Sequence, residues 1–166
     1  MASHPPATDA RSVSLPVSGA APASDGAAWY AGGLAFACTQ CGNCCSGAPG
    51  YVWVTGEDMH RMANYLRMSF DEFTGGYVRK IGARYALTER FNYDCVFLTR
   101  EAGQKPGCGI YPVRPMQCRT WPFWNENLKS EKAWRRAGAK CPGIGCGERH
   151  ELGHIETCRG NPGSPA

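Results

Sequence analysis

Apolar and polar positions divide the chain into an unpatterned start and a patterned remainder. Residues 1–27, opening "MASHPPATDARSVSLPVSG", are rich in Ala, Ser, Pro and Gly and carry almost no large apolar side chains. Such a segment buries too little surface to offset the entropy of ordering, so a disordered N-terminal tail is predicted. Patterning begins at "WYAGGLAF", where Trp29, Tyr30, Leu34 and Phe36 cluster. "YVWVT", residues 51–55, reads as a short strand. Thr55 followed by Asp58 is a helix-capping pair, and Met59, Met62, Ala63 and Leu66 then mark one helical face, a stripe suited to core packing. Ser69 with Glu72 repeats the pair and opens a second short helix over "FDEFTGGYVRKI", residues 70–81, weakened by Gly75 and Gly76. "RYALTE" and "CVFLT", residues 84–89 and 95–99, read as strands. "CRTWPFW", residues 118–124, starts helical and stops at Pro122, and Ser130 caps a helix over residues 130–138. The elements describe a small, loop-rich α+β domain over residues 28–160, with no internal repeat beyond its cysteine spacings.

Composition changes that picture in one respect. Hydrophobic residues are 43% of the chain, enough for a modest core, while 21 Gly and 12 Pro make loops plentiful. The outlying number is ten cysteines in 166 residues. A count of that size means a disulfide framework or a metal site, and the compartment decides between them. The N-terminal stretch lacks an apolar leader, since its best run, "VSLPV", is broken by Pro16. No segment approaches the roughly 20 apolar residues that cross a bilayer. A cytoplasmic location with reduced thiols is therefore expected, and with it a metal site. Because the core is modest, bound metal is expected to stabilise the domain.

The formal net charge of +4 counts every cysteine as a neutral thiol. Two four-thiolate metal sites would bring the chain near neutrality, so the basic surplus is no strong nucleic-acid signal. The densest basic stretch, "KSEKAWRRAGAK" at residues 129–140, reads as a solvated helix face.

Four of the cysteines fall in "CTQCGNCC", residues 38–45. Cys38, Cys41 and Cys44 recur every third residue, a spacing at which tight turns bring sulfurs to one centre. Gly42 supplies a permissive backbone between them. Cys45 directly follows Cys44. Neighbouring side chains are expected to diverge, so Cys45 is expected to face a second centre, as the last cysteine of a bacterial ferredoxin run does, or a different metal of one polynuclear centre. Further ligands must come from downstream, where Cys95, Cys108, Cys118 and Cys141 stand. Four near and four far divide into two four-thiolate sites, leaving Cys146 and Cys158 as spare thiols.

Together "CTQCGNCC", "DCVFL", "GCGIYPVRPMQCRTWPFW" and "CPGIG", in that order over roughly residues 36–147, resemble the CxxCxxCC (YkgJ-type) family of zinc- or iron-chelating cysteine-cluster proteins. A similar cysteine region occurs in flagellin lysine methylases. The resemblance implies that Cys38, Cys41, Cys44, Cys45, Cys95, Cys108, Cys118 and Cys141 are metal ligands; it supplies no substrate, and it does not extend to Cys146 or Cys158. Arg114 and Arg119 flank Cys118, where guanidinium groups would offset thiolate charge or bind an anionic ligand of the cofactor. Trp121, Phe123 and Trp124 are expected to shield the site.

A second motif competes. "HELGH", residues 150–154, fits the H-E-x-x-H pattern of zinc peptidases, with Glu151 as general base. Its context is poor, because Gly153 weakens a helix and Gly160 stands where a third His is needed. The reading that results is a metal-binding cysteine-cluster protein. It holds an iron–sulfur cluster, the favoured cofactor, or zinc, with a redox role and a protein redox partner if iron is present. The alternatives are a zinc-stabilised binding module without redox activity and the metallopeptidase. Whether the chain is an Fe–S oxidoreductase, and on what substrate, is not written in the residues.

Overall fold

The computed structural model describes residues 27–47 and 49–161. The expected disordered tail, residues 1–27, lies outside the described residues apart from Ala27. Within them the chain is a small mixed α/β fold with long connecting loops, as the pattern implied.

Strand β1 (Leu34–Phe36) leads into the cysteine-rich loop, which ends in a single 3-10 turn at Asn43–Cys45. Strand β2 (Trp53–Val54) then runs directly into helix α1 (Gly56–Leu66). The capping box is present: the Thr55 hydroxyl accepts from the Asp58 backbone N–H, and Asp58 accepts from the Thr55 N–H in return. Asp58 is almost fully buried because it also pairs with Arg61 and accepts from the Met116 backbone N–H. One carboxylate thus caps α1 and ties it to a later helix.

Helix α2 (Phe70–Tyr77) opens on the reciprocal Ser69–Glu72 box and stops eight residues on. Here the expected helix over 70–81 is too long. Gly75 and Gly76 weaken the last turn, and "VRKI" forms strand β3 (Val78–Ile81) instead. It pairs with β4 (Arg84–Leu87) across a two-residue turn whose first residue, Gly82, has φ +60°. The sheet order is β2-β4-β3.

Only Leu98–Thr99 of "CVFLT" is strand (β5), paired with β6 (Gly107–Cys108). Cys95 sits before it in a turn closed by Leu98 N–H to Cys95 O, 3.0 Å. Helix α3 (Met116–Thr120) ends one residue earlier than its sequence suggests. Trp121 is extended because the following ring of Pro122 disfavours the helical region for it. Helices α4 (Asn125–Leu128) and α5 (Glu131–Gly138) follow, the latter capped by the Ser130 hydroxyl. Strand β7 (Ile144–His150) returns antiparallel to β1, and helix α6 (Leu152–Arg159) closes the described chain.

Two apolar clusters result. The first packs Val54, Met59, Met62, Ala63, Phe73, Leu87, Phe97 and Ile110, all drawn from the middle of the chain. The second joins Tyr30 and Leu34 to Phe123, Leu128, Trp134 and Ile155, from its two ends. Among the described residues no helix is long and apolar enough to cross a membrane.

Candidate metal centre

A cavity of about 130 Å³ opens between the clusters, walled by Leu87, Phe97 and Ile110 on one side and Phe36 on the other. All eight cysteines singled out from the sequence line it: Cys38, Cys41, Cys44, Cys45, Cys95, Cys108, Cys118 and Cys141.

Six segments deliver them. Cys38 and Cys41 lie on the loop after β1, held by Ala37 N–H to Gly143 O, 3.1 Å. Gly42, at φ +75°, turns that loop into the 3-10 turn bearing Cys44 and Cys45. A Cβ at Gly42 would stand 2.8 Å from Leu98 Cδ1 and 3.2 Å from Pro106 Cβ, so the loop also sits too close to its neighbours for any side chain. The Cys95 backbone N–H donates to the Cys45 carbonyl at 2.8 Å, which joins the loop to the segment before β5. Asn43 Nδ2 donates to the Lys140 carbonyl at 2.9 Å, which joins it to the segment carrying Cys141. Cys108 comes from β6 and Cys118 from α3.

Cys44 and Cys45 do not diverge. Their sulfurs are 3.8 Å apart, because the 3-10 turn folds both side chains to one side. Two thiolates on one tetrahedral cation, each at about 2.3 Å, are separated by about 3.8 Å. The expectation that the two side chains diverge therefore fails. Among the described residues, no three His, Cys, Asp or Glu side chains already close on a single ion. The pair is arranged for one; the remaining thiols ring the cavity more widely.

Electrostatics follow from crowding and burial. Hydrogen bonding from Cys45 holds the Cys44 thiol down at about 7, and the Arg114 charge acts in the same direction. Cys45 keeps the shared proton and is pushed strongly up, first by that bond and then by burial. Burial also raises the thiols of Cys95, Cys108 and Cys118.

Arg114 lines the cavity, with Nη1 3.9 Å from Cys38 Sγ and its guanidinium 3.8 Å above the Tyr111 ring. Arg119, one residue beyond Cys118 on α3, is exposed and stands outside the lining. Trp121 does more than shield: its indole N–H donates to Cys141 Sγ at 3.4 Å. Lys140 is a further cation on the wall. Neither contribution carried a signal in the sequence, since each depends on chain segments distant from its partner or on main-chain course.

The residues of "HELGH" and the two spare thiols do not line this cavity. His150 ends β7, Glu151 is the exposed N-cap, and His154 lies in the first turn of α6. A strand-to-helix boundary thus divides the two His, which the peptidase motif needs on one helix.

The donor set fits a thiophilic cation. Thiolates select zinc, copper(I) and iron–sulfur centres and are poor ligands for hard ions such as magnesium or calcium. An uncharacterized protein of Methanocaldococcus jannaschii is 36% identical over 94 residues, which are 57% of this chain and 48% of that protein. The match thus spans about half the relative's length. No solved structure matches. The model of the CxxCxxCC family, described as a zinc- or iron-chelating domain, matches residues 37–142, and with the cysteines of that stretch gathered on one cavity the chain belongs to the CxxCxxCC family.

Proposed function

We propose that the eight cavity cysteines hold one polynuclear metal centre, an iron–sulfur cluster in the first reading. The observation that carries it is a single cavity lined by all eight thiols, with room for several water molecules where one bare cation would leave space unfilled. Cys44 and Cys45, at 3.8 Å, would share an iron or occupy neighbouring ones. Arg114 and Trp121 would donate to ligand sulfurs Cys38 and Cys141 and offset charge. Arg119 has no part in this reading. An iron–sulfur centre supplies one-electron chemistry when bound, and a protein redox partner would then be needed.

The module is taken as residues 28–160, stabilised by its metal and held in a reducing, cytoplasm-like compartment where thiols persist. No reaction is assigned. The second reading is a zinc–thiolate cluster that stabilises a binding module without redox activity, favoured by the same soft donor set.

Metal and acid-labile sulfide analysis of full-length protein purified without oxygen separates the two. Brown protein with iron and sulfide supports the first reading. Colourless protein with stoichiometric zinc, and no sulfide after reconstitution with iron and sulfide, replaces it with the second. Protein with no thiol-bound metal after either loading overturns both.

A further inference from the structure

Cys158 and His154 lie one turn apart on α6, and His154 Nε2 is 3.5 Å from Cys158 Sγ. A tetrahedral zinc at about 2.0 Å from nitrogen and 2.3 Å from sulfur holds its N and S ligands about 3.5 Å apart. The pair already has that separation. The ring of His150 stacks on that of His154, with centroids 4.8 Å apart. His150 Nε2 lies 2.9 Å from the Phe36 carbonyl, which can only accept, so this nitrogen donates. Phe123 packs edge-on to both rings, at 5.1 and 5.9 Å, giving the cluster one dry wall. His154 itself is exposed, so an ion can reach it.

We propose that His154 Nε2 and Cys158 Sγ form a second metal site, separate from the eight-cysteine cavity, for a borderline divalent cation of the zinc class. Imidazole with thiolate is a donor set for zinc or cobalt(II), not for magnesium or calcium. Binding displaces the Cys158 thiol proton to solvent and changes no oxidation state. No three side chains among the described residues yet close on one ion. The remaining positions therefore fall to water. The site makes sense of two sequence features that the cysteine cavity leaves unused, "HELGH" and Cys158. It assigns His154 to binding rather than to peptide hydrolysis.

The test is a cobalt(II) titration, without oxygen, of full-length protein whose cysteine cavity has first been loaded. The expected result is one additional ion per chain with a sulfur-to-cobalt charge-transfer band in the near ultraviolet. Zinc should displace that ion. His154→Ala and Cys158→Ser should each lose the additional ion at concentrations that saturate the wild type, while the metal of the cavity stays unchanged. Cys146→Ser should keep both. Since His154 is exposed, its variant also guards against a misfolding artefact in Cys158→Ser. No additional ion in the wild type, or an additional ion that both variants retain, overturns the proposal. Failure of the wild-type cavity to load counts against the eight-cysteine reading alone, because the additional cobalt ion and its loss in both variants are read separately from cavity metal.

Discussion

Replacing Gly42 with alanine tests whether the cysteine loop is held by backbone conformation and close packing together. Gly42 sits at φ +75°, where an L-residue costs about 1–2 kcal/mol. The new Cβ would also meet Leu98 Cδ1 at 2.8 Å and Pro106 Cβ at 3.2 Å. Leu98 is fully buried, so overpacking against it adds about 1–3 kcal/mol. Together they predict a loss of about 2–5 kcal/mol before the unfolded-state gain from losing a glycine is subtracted. Gly82 provides the control. Its φ is +60°, but a Cβ there has nothing within 4 Å. Gly82→Ala should therefore show the conformational cost alone, about 1 kcal/mol after the unfolded-state gain from losing a glycine is subtracted. The assay is denaturant unfolding of both variants, with and without chelator, beside metal content. Gly42→Ala should unfold at a clearly lower midpoint than Gly82→Ala and should retain less metal, because the Cys44–Cys45 turn moves with it. Equal midpoints for the two variants would refute the packing argument and leave Gly42 only a hinge.

Five further outcomes are expected. Cys44→Ser and Cys45→Ser should damage the same centre and leave the same residual spectrum, given sulfurs 3.8 Å apart; distinct losses would restore two separate sites. Thiols of Cys95, Cys108 and Cys118 are raised by burial and are protonated at neutral pH, so metal loading should release protons, measurable in weak buffer, and apparent affinity should climb with pH. Those same raised values make the metal-free fold most stable below the unfolded thiol value of about 8.5, with stability falling as pH rises through the folded values, which alkaline unfolding of chelated protein would show. Trp121→Phe removes the N–H donor to Cys141 and should weaken metal retention by about tenfold in a chelator competition, with an unchanged loss rate counting against that bond. Glu151→Gln should leave metal content and folding unchanged, because the motif's two His are split between a strand and a helix; a peptide-cleavage assay that finds activity in the wild type and not in this variant would count against this.

What the sequence disclosed was largely local. Thr55, Ser69 and Ser130 announce their helices because a cap is written within four residues. Strand β4 was legible in "RYALTE", but its partner β3 escaped notice because Gly75 and Gly76 resemble a weak helix interior, whereas they mark its end. The pairing of β1 with β7 joins Leu34 to His150, and no short window can contain both. At the site, the identity of the cavity cysteines was legible from their number and spacing. Their arrangement was not: Cys44 and Cys45 converge through a 3-10 turn that depends on the φ of Gly42. Arg114 and Arg119 looked equivalent beside Cys118. The helix places Arg119 about 100° around from its neighbour, so one faces the cavity and the other faces water.

The two apolar clusters differ in how far apart their members lie along the chain, and that sets an order of assembly. Every buried member of the first falls between Val54 and Ile110, so it can condense from nearby contacts while synthesis is still under way. The second needs Tyr30 and Leu34 to wait for Phe123, Trp134 and Ile155, across loops of roughly a hundred residues that close slowly. The cavity lies on the seam, with six of its cysteines upstream of or within the early cluster's span and Cys141 delivered only by the late one. During synthesis, then, the first thiols emerge long before their last partner. A growing chain spends that interval with "CTQCGNCC" uncovered, open to metal capture by an incomplete site or to oxidation, and the sheltered centre is a property of the finished chain alone.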